Sequence, residues 1–564
     1  MSSRESTPGF PGDRPVPLVA VGVPSEDTYP AQVLDQLGIC AKPVASLDHG
    51  RAEGLRVFWW HADLDAASVP GDRGGIAILT HRSRAGAQRS TGPAGERSYL
   101  FRLDSGPWAA RSFHVDLPVG RCPGGHGTCV DRDGRPIPDS GIRVDEAPGR
   151  LVVSLPWDLA GYVTGEEWSP RPHPCDAAGR CFAELAPMLD AGALRRLLLE
   201  ILASCFDRVG LPLVRVSHRY RERRHVAFRI DADGYSPSSA RAGLRLSAAT
   251  GLRFTWFLDM SGWGRAPESV AALRDQGQDV QLHCFRHHTY VSREVNRLNI
   301  RKGLRLLRAS GVDATAIVSP CGYPFAGFAD AIRDEGFAYS SEFGYGGNDL
   351  PSRPRNDPSR PLQIPVHPAC SGVLRAAGLS VEEQFAHLLE RARTVAAADG
   401  TCILYDHPIG GLESFEPHYV ALFRRLREEG LDYLCMSDYA RAWAGRPRNV
   451  RIRYAEGRIE VEGFADRGFR LEQVVSGGAG ATGAGVRWMG SRLPTCGLPP
   501  VADEFPVPTR AALDLVEGLR RRGLAHERER GASPLEWRVA EILRAAGESR
   551  AFAPLAARLR GAGW

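Results

Sequence analysis

Between residues 225 and 436, short, strongly apolar runs alternate with longer stretches of helical period, and this alternation narrows the fold more than any other feature of the chain. The strand-like runs are 225–230, 253–258, 279–283, 316–319, 338–340, 363–365, 402–405 and 433–436; the stretches between them include 238–250, 267–276, 291–310, 325–335, 381–398 and 416–429. Strands that alternate with helices pair in parallel through helical crossovers, so the pattern predicts an α/β fold, either a barrel or a doubly wound sheet. In a barrel, chemistry collects at the C-terminal ends of the strands.

The flanking regions read differently. Strand-like runs at 18–23, 55–60, 75–80, 98–103 and 150–155 and a helical run at 29–37 predict an N-terminal α/β domain over 1–210, closed by one long helix over 181–209 that stops at Gly210. The barrel then spans 211–445. The remainder, 446–564, reads as a small accessory module: a hairpin of 450–454 and 459–463 around Glu456-Gly457, a Gly-rich insert at 476–485, and helical runs at 508–522 and 534–546.

Composition excludes several classes. Hydrophobic residues make up 43% and charged residues 24% of the 564, enough apolar surface for a sizeable core and too much for a disordered chain. The net charge of +5 is small, and basic residues are mixed with acidic ones, which argues against nucleic acid as a partner. No apolar run reaches the roughly 18 residues of a membrane span. Residues 1–13 lack the features of a secretory signal, so a cytoplasmic location is the expectation. Twelve cysteines are too few for a disulfide scaffold in a chain this long. Cys122 and Cys129 flank His126, with His173, Cys175 and Cys181 following in a second loop; a structural zinc, a disulfide and unconnected thiols all remain open for this group.

Three strand ends carry the side chains of a metal-hydrolase site. Asp231-Ala232-Asp233-Gly234 places two carboxylates just past the first run. His283 and His287 follow the third; if that strand end rolls into a helical turn, both imidazoles lie on one face and reach one ion. Asp406-His407-Pro408 delivers another histidine after the seventh. Each fragment alone is ordinarily a turn, a solvated face or a loop. Their placement at strand ends of one β/α unit is what allows a single pocket to collect them.

On these residues the stretch 225–443 resembles the polysaccharide deacetylase family, also called carbohydrate esterase family 4, whose fold is a distorted (β/α) barrel. The resemblance implies Asp231 as catalytic base, Asp233, His283 and His287 as ligands of Zn2+ or another divalent metal, and His407 as general acid. Thr255-Trp256-Phe257 is similar to the strand preceding the family's histidine motif. Ser319-Pro320-Cys321-Gly322-Tyr323 falls where its arginine-containing third motif is expected, so the backbone N–H of Cys321 is the implied oxyanion donor. The arginine of that motif is absent, Val318 standing in its place; Arg229 or Arg286 is then the expected substitute charge, and Glu342 the candidate from a fourth motif. The N-terminal domain resembles, more weakly, glutamine-amidotransferase-like domains but has no nucleophile elbow, which leaves docking of substrate or a purely architectural role.

The expected activity is metal-dependent hydrolysis of an N-acyl group, acetyl first, from an amino sugar in a glycan or glycoconjugate, with the N-acylated saccharide as partner. Two alternatives stay open: hydrolysis of a non-sugar amide, ureido or formamido substrate on the same barrel, and a decayed barrel that grips glycans without turnover.

Overall fold

A computed structural model describes residues 17–497 except 25–28, 62–74, 83–97, 105, 109–110, 160–167, 177–178, 188, 218, 323–325, 344–349, 355–356, 398–399, 401, 449, 476–486, 489–490 and 494, and beyond them 514–515. The helical runs expected at 508–522 and 534–546, the insert at 476–485 and residues 1–13 therefore fall wholly or almost wholly outside the described residues.

Eight parallel strands form one curled sheet, running Leu362–Gln363, Tyr339–Ser340, Ala316–Ile317, Asp279–Leu282, Thr255–Leu258, His225–Ala232 and Cys402–Asp406, with Asp432–Tyr433 also on His225–Ala232. The edge strands are tied across by a backbone bond from His367 N, just past Leu362–Gln363, to Ile403 O at 2.9 Å. All eight strand-like runs are strands. Alternate residues of a strand face opposite sides, and here the two faces are distinct. Val226, Phe228, Ile230, Trp256, Leu258, Val280, Leu282 and Leu404 pack outward with the helices, whereas Ala227, Phe257, Val318, Ile403 and Tyr405 share a separate inner cluster.

The helix Met436–Ala444 closes the end of the barrel where the strands begin. Its Met436, Tyr439, Ala440 and Trp443 join the inner cluster. Its first turn is tied to the strand starts by hydrogen bonds from Met436 N to Thr255 Oγ1 (2.8 Å), Ser437 Oγ to Asp279 Oδ1 (2.8 Å) and Gln281 Nε2 to Ser437 Oγ (3.0 Å). With that end filled, the polar side chains of the opposite end are left facing the mouth.

The N-terminal residues build a six-stranded sheet in the order Ala41–Pro43, Val21–Val23, Val57–His61, Ile76–Arg82, Arg150–Asp158, Arg143–Ala147, parallel except for the last pair. One expectation is corrected here. Residues 181–187 are not the start of a long helix; Cys181–Pro187 is a strand, paired antiparallel with Trp168–Pro174. Pro187 cannot continue a helix from that side, and the helix Ala191–Arg208 begins after Asp190, whose Oδ1 caps Ala193 N at 2.9 Å.

The hairpin expected after residue 446 is present as Arg451–Ala455 and Arg458–Glu462, with Glu456 and Gly457 both at positive φ. It does not stand apart. Ile452, Ile459, Leu471 and Val474 share a core with Val21, Val57 and Leu198, and Leu471–Val475 pairs antiparallel with Leu213–Val216. A buried ion pair, Arg215 Nε to Glu472 Oε1 at 2.7 Å, pins that pairing. No described helix is long and apolar enough to cross a membrane. The cysteines whose side chains are described, among them Cys122, Cys129, Cys175 and Cys181, are free thiols; Cys129 is core, accepting from Trp157 Nε1 at 3.3 Å, its thiol pushed up to about 12 by burial.

Candidate metal centre

The strand His225–Ala232 alternates, so Arg229 and Asp231 point the same way, into the barrel mouth. Both are buried. The Arg229 guanidinium meets the carboxylate as a fork, Nε to Oδ1 and Nη2 to Oδ2, each at 2.6 Å, while Nη1 donates to the carbonyl of Ser341. Rings of Phe257, Phe343 and Tyr405 stand 5.5, 5.6 and 5.8 Å from the guanidinium carbon. Burial works against the charge of Arg229, but Asp231 and Glu342 outweigh it and hold its pKa above the ordinary value. A carboxylate gripped by a fork still has lone pairs on its outer side, and these are what Asp231 has left for a proton.

Just past the strand, Asp233 Oδ1 lies 3.2 Å from His283 Nε2 and 3.1 Å from His287 Nε2, and the two Nε2 atoms are 3.1 Å apart. Three lone-pair atoms thus form a nearly equilateral triangle. His283 Nδ1 faces the Val318 carbonyl at 3.0 Å, which assigns its proton to Nδ1 and leaves Nε2 bare toward the triangle. Asp233 Oδ1 is buried and has no hydrogen-bond partner. Burial pushes the Asp233 carboxyl up, but the imidazoles of His283, His287 and His407 outweigh it and hold it well below the carboxylate range. Burial likewise pulls His283 down, and the carboxylates of Asp233 and Asp231 hold it up. Ligand atoms around a tetrahedral zinc at about 2.0–2.1 Å sit about 3.3 Å from one another, close to the edges of this triangle. The donor set fits a divalent ion.

The loop that brings His287 to His283 is not helical, which corrects the expected turn. Cys284 takes φ 65°, a left-handed conformation, and reverses the chain beneath the two histidines. The loop lies so close to the helix Arg293–Ala309 that a Cβ on Gly303 would stand 3.1 Å from Phe285 N and 2.6 Å from Leu282 Cδ1. Two buried asparagines of that helix hold the loop's backbone. Asn299 accepts from Arg286 N (2.8 Å) and donates to the carbonyls of Arg286 (3.2 Å) and His288 (3.0 Å), and Asn296 does the same for both backbone groups of Tyr290. The sequence reading passes over both. The available signal is amide side chains on the apolar stripe of an amphipathic helix, where a buried Asn needs partners.

Of the two arginines expected to replace the missing one, Arg229 holds Asp231, while Arg286 takes part through its backbone at Asn299. Glu342 is buried and collects Ser319 N (3.0 Å), Ser319 Oγ and Ser340 Oγ (2.5 Å), so it fastens the start of the 319–322 loop instead of facing the triangle. Cys321 follows in that loop at φ 59°, exposed; Tyr323 lies outside the described residues. His407 Nε2 is 3.5 Å from Asp233 Oδ2, and its ring stands edge-on to Tyr405 at 5.5 Å. Burial disfavours a charged His407, but the neighbouring Cys370 side chain and the Asp233 and Asp231 carboxylates prevail, and its pKa is pushed up to about 10. Asp233, His283, His287 and His407 are therefore brought together, with Asp231 behind them on its arginine.

No family model matches the chain, and no curated protein matches it. Among solved structures it is similar to a protein assigned as a polysaccharide deacetylase from Mycobacterium smegmatis (17% identity over 40% of this chain and 92% of that one, TM-score 0.34). It is also similar to the Bc1960 peptidoglycan N-acetylglucosamine deacetylase (14%, 40% and 90%, TM-score 0.31). A third likeness is to a carbohydrate esterase family 4 pseudoenzyme from Bacillus anthracis (13%, 39% and 66%, TM-score 0.29). Likenesses at these TM-scores carry no weight for activity.

Proposed function

We propose that the chain is a metal-dependent amide hydrolase that removes an N-acyl group, acetyl first, from an amino sugar of a glycan or glycoconjugate. One observation carries the reading: the triangle of Asp233 Oδ1, His283 Nε2 and His287 Nε2, with an arginine-clamped Asp231 and His407 beside it. A divalent ion held by these three ligands supplies Lewis acidity for a carbonyl oxygen and acidifies water at its open positions.

The chain's own residues supply the proton transfers. Asp231, held on both oxygens by the Arg229 fork, accepts a proton on its outward lone pairs. His407 has its charged form favoured and gives a proton to the leaving nitrogen, so that the amine departs neutral. The amide of Cys321 is the proposed second donor to the developing oxyanion, on its sequence position after Val318. The products are an amine and a short carboxylate.

The binding-only alternative was motivated by the arginine missing at Val318. Arg229 fills that electrostatic role from the strand itself, so catalysis is the favoured reading. Zinc content of the purified protein, with mass spectrometry of products from an N-acetylated oligosaccharide and from a panel of small amides, ureides and formamides, tests it. Less than a tenth of an equivalent of metal after loading, unchanged in His283→Ala, refutes the metal centre. Turnover of the small amides alone moves the substrate away from sugars.

A further inference from the structure

Beside the metal triangle, Cys370 and Asp406 have no part in the reading so far; with His407 they bring a thiol, a carboxylate and an imidazole within 4.8 Å of one another. The composition looks like a second cation site, but Asp406 is fully engaged. Its Oδ1 accepts from His407 N at 2.8 Å, and its Oδ2 from Ser371 Oγ and Tyr419 OH, both at 2.5 Å, in a side chain with no exposure. Three short hydrogen bonds leave it little to offer an ion. What remains is a thiol against an imidazole.

The surroundings of that pair show what it does. Asp406 binds the backbone of His407, which fixes where the residue begins but not which way its ring is turned. Around the ring stand the edge of Tyr405, the Asp233 carboxylate 3.5 Å from Nε2, and the Cys370 thiol, its sulfur within 4.8 Å of a ring nitrogen. Cys370 is 2% exposed and sits in the inner cluster with Phe343 and Tyr405, at the residue just before the helix Ser371–Ala376. Its sulfur is thus held by packing from the barrel side. A thiol both donates and accepts weakly, so it can meet either face of an imidazole nitrogen.

We propose that Cys370 is a positioning residue for His407, its thiol holding the imidazole in the orientation from which it delivers a proton to the leaving nitrogen. The proposal rests on the hydrolase reading for its consequence, but its geometry can be read without turnover. In the full-length, zinc-loaded protein, Cys370→Ala lowers kcat tenfold or more with KM and zinc content unchanged, and Cys370→Ser, whose hydroxyl keeps a polar atom beside the ring, recovers to within about threefold of the parent. In a His407→Ala background Cys370→Ala costs less than twofold, because there is no ring left to orient.

Equal losses with and without His407, or serine no better than alanine, overturn the proposal. Cys370→Val takes the place of alanine if the smaller side chain unfolds the barrel. The independent readout is the 15N spectrum of labelled histidine: the His407 ring nitrogens shift in Cys370→Ala and return in Cys370→Ser. Unchanged His407 resonances overturn the positioning role even if the parent turns over no N-acyl substrate, whereas shifted resonances in a protein without turnover support it and count against the hydrolase reading alone.

Discussion

Arg229 and Asp231 are two residues apart on one strand, point into the same barrel mouth, and share two hydrogen bonds of 2.6 Å with both side chains almost fully buried. The carboxylate and its counter-charge are therefore set by the pleat of a single strand, and neither depends on a loop to find the other.

Breaking that pair leaves a buried, uncompensated charge. Arg229→Met is expected to cost about 3–5 kcal/mol, the usual penalty for removing one partner of a buried ion pair. Urea unfolding at pH 7 measures it; a loss under 1 kcal/mol means Asp231 finds another partner or water.

Asp231→Asn keeps a similar shape but cannot accept a proton. Turnover is expected to fall on the order of a hundredfold to ten-thousandfold with metal content unchanged. Steady-state rates beside zinc analysis decide it, and near-parent activity would remove Asp231 from the chemistry.

Asn299 holds the backbone on both sides of His287. Asn299→Ala is expected to weaken metal binding on the order of tenfold to a hundredfold while leaving all three ligands in place. Competition with a fluorescent chelator reads the affinity; unchanged affinity shows that the loop holds its shape by packing alone.

Binding of an ion to the folded state alone raises its melting temperature. EDTA is expected to lower Tm in the parent and leave His283→Ala unmoved. Equal shifts in both proteins would place the stabilising ion elsewhere.

His114 and His367 are buried, and burial, with Arg171 and Arg132 near the first and Arg391 near the second, holds both well below the ordinary histidine value. Arg391 Nε donates to His367 Nε2 at 2.9 Å, a contact that needs the neutral ring. A depressed folded pKa means the unfolded chain takes up the proton first. The stability these groups contribute is complete above about pH 6.5 and is lost below it, at about 1.4 kcal/mol per pH unit for each group. His367→Gln, whose carbonyl can accept from Arg391, should flatten the decline by one proton's share in urea titrations between pH 7 and 5. An unchanged slope would show that His367 does not titrate on unfolding.

The barrel was legible because each of its eight strands is an apolar run bounded by turns, and a parallel strand buried on both faces needs nothing else to declare itself. The gathering of Asp233, His283, His287 and His407 was legible because they sit at the ends of those runs. Periodicity failed at Cys181–Pro187, where Leu, Phe and Ala at helical spacing belong to a strand whose partner, Trp168–Pro174, carries three prolines and no apolar run. It also failed at Leu471–Val475, since pairing with Leu213–Val216 is a long-range event with no local mark. Cys370 and Asn299 share that difficulty: each acts on a residue that only the folded chain brings alongside.

That pairing of Leu213–Val216 with Leu471–Val475, pinned by Arg215 and Glu472, encloses the whole barrel within a single connection of the N-terminal core. During synthesis the first sheet emerges early but lacks its companion strand until everything between has been made. The barrel, whose strands meet neighbours close by in sequence, is complete before the core that surrounds its ends. Closing so long a loop is least costly when the intervening chain is already compact and its two ends already near one another. The barrel is thus the scaffold on which the outer core assembles, and a lesion that slows it would surface first as an unfinished N-terminal sheet.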